Sequence, residues 1–191
     1  MLAWLDHVRE SIVCIASICS PTQESPEIGR DAVDESFRLR PPQWLAPYGP
    51  LLLSVCPSWD VMRAYAIMHD MGKPRCAIVD DAGRRHFPNH AEASKKAWIE
   101  LGGSEEIGEL MGLDMAIHVL KPETVESFAK HPLMPALLLS ALAEVHANAE
   151  MFGGRDSDNF KAKWKKVASR GKALCEARFG NARALWLKAQ F

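Results

Sequence analysis

"PALLLSALAEVHANAEMF", residues 135–152, is the most apolar stretch of the chain, and its reading decides the fold class. Pro135 suits a first helical turn, and Gly153-Gly154 supplies the stop. Being the most apolar helix of the chain, it is expected at the centre of a helical core.

Working outward, most of the chain carries the same signature. Leu5, Val8, Ile12, Ile15, Ala16 and Cys19 fall at helical spacing over residues 3–19. Residues 50–56 and 59–71 read as helices, with Ser58 as N-cap of the second. Asn89 is placed to cap "HAEASKKAWIEL", which Gly102-Gly103 ends. Ser104 starts a helix running toward "GLDMAIHVL", and Pro122 opens "PETVESFAKH". After the loop "GRDSDN" come two basic helices, "FKAKWKKVASRGKALCEARF" and "ARALWLKAQ". Only "RCAIVDDAGRRHF" breaks the pattern, suiting a small hairpin or ordered loop within residues 75–87. The expectation is an all-α bundle of seven to nine helices in a single domain, 1–191. Residues 20–50 form an irregular proline-rich insertion, and 155–191 a C-terminal helical extension.

The 23 basic and 24 acidic residues nearly cancel, so bulk charge does not call for a polyanionic partner. Five cysteines without a CxxC pair read as free thiols of a reducing compartment. Asp6, Arg9 and Glu10 interrupt the apolar N-terminus, and no stretch has the length of a membrane span. The composition predicts a soluble, cytoplasmic protein with no membrane partner; it says nothing of oligomeric state.

Chemistry gathers in "IMHDMGKP", residues 67–74, where an apolar run ends in His69 and Asp70 before Gly72 and Pro74 break it. Borderline divalent metals take imidazole and carboxylate, and a site needs several such groups converging. His90 sits in the first turn of the following helix. His118 lies among Leu113, Ile117 and Leu120, and Glu144 stands between Leu142 and Val145. A carboxylate buried there needs a partner, which a metal or an ion pair with Arg63 would supply. His118 as a core histidine is the competing reading. Asp114 reads as a helix-start charge rather than an orienter of His118. His131 and His146 read as structural.

"HDMGKP" followed by "FPNHAEASKKAWIEL" resembles the HD-domain metal-dependent phosphohydrolase superfamily, in its HD-x-G-K-P, F-x-x-H form. The resemblance is strongest over residues 60–100 and does not reach the last helices. It implies an all-α bundle in which His69 and Asp70 are the defining ligand doublet, with His90 and His118 as further ligands. Lys73 takes the place of a phosphate-proximal lysine, and Glu144 that of a usual aspartate. Family members also carry a ligand histidine on an earlier helix. His7 is the one upstream histidine, and it fills that role only if residues 20–50 are an insertion.

The reading that follows is a hydrolase of phosphate esters using one or two divalent ions: Mn, Mg, Fe, Co, Ni or Zn. The substrate is a small-molecule phosphomonoester or phosphodiester, most plausibly a nucleotide. Asp70 and Lys73 serve the chemistry; Lys73, Arg75 and His86 meet the phosphate. Two other readings stand beside it: a di-iron oxygenase of the same superfamily, and a degenerate HD domain that binds RNA or a protein. For the basic stretch "KAKWKKVASRGK" a solvated helix face is favoured over a nucleic-acid surface, and Trp164 and Trp186 read as packing anchors.

Overall fold

The computed structural model describes residues 41–180. The helix expected over 3–19 with His7, the insertion up to residue 40, and the stretch after 180 with Trp186 lie outside the described residues. Within them the chain is all-α, apart from one two-stranded hairpin. Helices α1 to α9 are Gly49–Ser54, Trp59–Met68, Lys73–Cys76, His90–Glu100, Glu105–Gly112, Ala116–Val119, Val125–Ala129, Met134–Ala147 and Asp158–Phe179. Strands β1, Ile78–Val79, and β2, Arg85–His86, pair antiparallel with Ile78 opposite His86. The described residues divide into two compact units, Pro57–Val119 and 41–56 with 120–180.

The 57–119 unit packs α2 on α5, α5 on α4, and α3 on α4. Ser58 caps α2 as expected, its hydroxyl accepting the Val61 amide. Apolar positions at helical spacing bury Met62, Tyr65 and Ala66 from α2, Ala97 from α4, and Ile107, Leu110 and Met111 from α5. Three local expectations need correction. The helix expected over 59–71 stops at Met68, with His69 as its C-cap, and Pro74 opens the next turn instead of ending the previous one. Asn89 makes no side-chain cap; it takes the left-handed conformation (φ 56°) that asparagine tolerates better than most residues, and offers its carbonyl to the Ala93 amide. The helix begun after Ser104 ends at Gly112, and α6 is a separate turn beyond it, leaving Asp114 between the two. The hairpin at 75–87 forms as expected, closed by the Asp80 side chain accepting the Ala82 and Arg84 amides.

In the other unit α8 is the buried element that its leucines predict. Met134 through Leu139, Ala141 to Ala143, Val145 and His146 are all buried. Pro135 falls in its first turn, and the helix gives way after Ala147 to a 3-10 turn, Ala149–Phe152, before Gly153 and Gly154. Helices α1 and α9 pack on α8, and α9 also on α7. Gly171 makes the α9 approach possible, because a Cβ there would meet Leu138 Cδ1 at 2.6 Å and the Trp44 ring at 3.0 Å. His146 packs edge-on to Phe160 and Trp164. The His131 Nδ1 accepts the Leu133 amide and its ring stacks on Phe128.

Candidate metal centre

Four metal-competent side chains meet in the 57–119 unit, brought there by the α2 C-terminus, the α4 N-terminus and the turn after α5. His69, at the end of α2, turns its Nε2 to within 3.6 Å of Asp70 Oδ2. His90, at the start of α4, places its Nε2 3.9 Å from Asp70 Oδ1 and 3.7 Å from Asp114 Oδ2. Asp114 is buried, and the Tyr65 hydroxyl donates to its Oδ1 at 2.5 Å. His69 and Asp114 form the buried floor; Asp70 and Lys73, with side chains 29% and 34% exposed, face solvent.

Both imidazoles are oriented in the same way. His69 Nδ1 lies 2.9 Å from the Ala66 carbonyl, and His90 Nδ1 lies 3.1 Å from the Phe87 carbonyl. A carbonyl oxygen only accepts, so each Nδ1 carries the proton and donates it. In the neutral ring Nε2 is then a lone pair, and in both residues it is aimed at carboxylate oxygens, which are acceptors as well. Facing lone pairs repel unless a proton or a cation lies between them. A backbone carbonyl on the far nitrogen is also the arrangement that fixes a ligating histidine.

The electrostatics agree. The Asp114 carboxylate raises the His90 pKa above 6.5 as its largest cause, against the opposing pull of burial. For Asp114 burial is the largest influence and works upward. Hydrogen bonding to His90, the nearby His69 and the Tyr65 hydroxyl together outweigh it and hold the carboxyl below its ordinary value. The donor set, two imidazoles and two carboxylates, suits a borderline or hard divalent ion. The contacts run as a chain of pairs, however. Among the described residues no three His, Cys, Asp or Glu side chains already close around one point.

A second set of contacts holds the doublet in register with α4. The Gly72 amide donates to Ser94 Oγ at 3.0 Å, and Ser94 is fully buried. Lys73 Nζ pairs with Asp70 Oδ2 at 2.5 Å and stands 5.6 Å from the centre of the Phe87 ring.

Arg75 pairs with Glu100 at 2.7 Å, and His86 Nε2 with Asp80 at 2.8 Å; Arg84 binds the same Asp80 carboxylate. His118 is half-buried on α6, four residues beyond Asp114. Glu144 is half-buried on α8 of the other unit. Sequence reasoning passed over Tyr65 and Ser94 and read Asp114 as a helix-start charge. A signal existed for two of them: Tyr65 is one turn before His69 on α2, and Asp114 is an acid within the apolar run "GLDMAIHVL".

Comparison with protein-family models, with curated proteins and with solved structures finds no match for this chain. Among the described residues no helix is long and apolar enough to cross a membrane.

Proposed function

We propose that the chain is a metal-dependent phosphohydrolase of the HD-domain kind, acting on a phosphomonoester or phosphodiester and, by family analogy, on a nucleotide. The observation that carries this reading is the pair of histidines, each locked through Nδ1 to a carbonyl and aimed through Nε2 at the Asp70 and Asp114 carboxylates. His69, Asp70, His90 and Asp114 would hold the ion. One or two divalent ions bound there would polarise a phosphate oxygen and acidify a water for attack at phosphorus.

The chain's own residues then have defined tasks. The Ala66 and Phe87 carbonyls keep both imidazoles in the Nδ1–H tautomer, which turns the Nε2 lone pair toward the carboxylates. Tyr65 holds one Asp114 oxygen, leaving the other turned toward His90. Lys73 neutralises Asp70 in the resting protein and is exposed enough to shift to a phosphoryl oxygen as charge develops there. Arg75 and His86 sit in exposed ion pairs, which exchange partners at little free-energy cost.

The test is turnover of p-nitrophenyl phosphate and bis(p-nitrophenyl) phosphate with Mn²⁺, Mg²⁺, Co²⁺ or Ni²⁺ added to chelator-treated protein. Metal-restored hydrolysis that His69→Ala abolishes is the expected result. Bound iron with oxygen consumption and no hydrolysis would assign oxygenase chemistry instead. Hydrolysis unaffected by His69→Ala would place any activity away from this cluster.

A further inference from the structure

Helix α9 carries a charge that the centre described above does not use. Its residues 158–179 hold seven cations against two carboxylates, +5, in a chain of net charge −1, so the rest of the protein carries −6. From Asn159 to Cys175 there is no acid at all. Packing explains only one side of the helix. Phe160, Val167, Gly171, Leu174 and Cys175 are buried, while Lys161, Lys163, Lys165 and Lys166 are exposed. Arg170 and Lys172 flank them; Lys172, its side chain 45% exposed, pairs with Glu176 at 3.6 Å. At about 1.5 Å per residue, the six cations extend over roughly 16 Å of helix. Among the described residues no carboxylate pairs with Lys161, Lys165 or Lys166.

We infer that this outward face of α9 binds the phosphate backbone of a nucleic-acid duplex, without regard to base sequence. Charge complementarity favours a polyanion: Lys161, Lys165 and Lys166 repel one another on one exposed stretch and gain most from a partner with closely spaced negative charges. The rest of the surface decides which polyanion. Binding of single strands relies on aromatic platforms for the bases. Trp164 is not available as one: it stacks on Phe160 at 8° between planes and meets the His146 ring edge-on. A membrane-surface helix needs apolar side chains to bury among lipids. Between the cations the outward face offers only Ala162 and Ser169, and the apolar side of α9 is taken up by α7 and α8. A duplex backbone needs neither stacking nor insertion. The basic stretch is therefore a binding surface where its sequence reads as a solvated one.

The experiment is fluorescence anisotropy of the full chain with labelled DNA and RNA duplexes of two unrelated sequences, the matching single strands, and phosphatidylserine vesicles. Both duplex sequences should bind equally. With four to five phosphates contacted, log affinity against log salt should have a slope of about −4, roughly a hundredfold loss or more between about 50 and about 200 mM. Lys165→Gln with Lys166→Gln should reduce that slope by about 2. Both side chains are exposed, so thermal stability and metal content should not change. The inference fails if duplex binding is absent at low salt or undiminished in the double variant. It also fails if single strands bind more tightly, or if only the vesicles bind.

Discussion

The Gly72 amide donates to Ser94 Oγ at 3.0 Å, and a Cβ on Gly72 would stand 2.3 Å from the Ser94 amide nitrogen. The turn that carries His69 and Asp70 is thus pressed against the helix that carries His90. This is what brings the two histidines to opposite oxygens of Asp70. Gly72 has φ −82°, which any residue adopts, so its requirement is one of space and not of backbone freedom.

Gly72→Ala therefore forces two backbones apart and should destabilise the protein by about 3 kcal/mol, the upper end for overpacking. For a chain of this size that is roughly 10 °C in thermal midpoint. Ser94→Ala removes the hydroxyl without adding bulk and should cost about 1 kcal/mol. Scanning calorimetry of both variants checks this, and equal stability of Gly72→Ala and the parent would refute the close approach.

Tyr65→Phe leaves Asp114 buried without its phenolic donor. The expected loss is about 1–3 kcal/mol of stability, the penalty for an under-satisfied buried acceptor. Part of it should return when a divalent ion is added, because binding to the folded state stabilises by mass action. Thermal unfolding with chelator and with Mn²⁺ provides the comparison.

The pH dependence follows from two opposed shifts. His90 has a raised pKa, so its contribution is complete below its unfolded value and disappears as pH rises through its folded one. Asp114 has a lowered pKa, so its contribution is complete above its unfolded value and disappears as pH falls through its folded one. In chelated protein the pair stabilises most between the ordinary Asp and His values, 3.8 and 6.5, and the stabilisation fades toward the depressed Asp114 value on the acid side and the raised His90 value on the alkaline side. An NMR titration should find His90 above 6.5, and Asp114→Asn should bring it down. No downward movement in that variant would show that Asp114 is not the cause.

Cysteine reactivity offers a check on the other unit. Cys175 is fully buried and its thiol is pushed up to about 12, chiefly by burial. Only the thiolate alkylates, so Cys175 should resist iodoacetamide in the native protein. Cys56 and Cys76, both partly exposed, should react first. Peptide mass spectrometry after timed labelling would read this directly, and early modification of Cys175 would contradict the packing of α9.

The sequence made the helices legible because apolar periodicity is local: α8 and its proline and glycine boundaries are plain in residues 135–154. It misplaced what tertiary contacts decide. The helix after Ser104 breaks before Asp114, which is drawn into the interior by Tyr65, 49 residues away. Asn89 has the right chemistry for a cap, yet the entry to α4 needs a left-handed residue there more than a side-chain acceptor. The same division holds at the centre. His69, Asp70 and His90 could be named from "HDMGKP" and "FPNH" by resemblance. Ser94 could not, since its role rests on a contact across the fold, and Asp114 showed only as an acid within an apolar run. Glu144, at a place the resemblance marks for a ligand, belongs to the other compact unit.

The central claim is that His69, Asp70, His90 and Asp114 hold a divalent ion. Elemental analysis of protein purified without chelator, beside Asp70→Ala, tests it most directly. At least one divalent ion per chain is expected in the parent, with most of it lost in the variant. Full metal content in Asp70→Ala, or none in the parent even after incubation with Mn²⁺ or Ni²⁺, would contradict it.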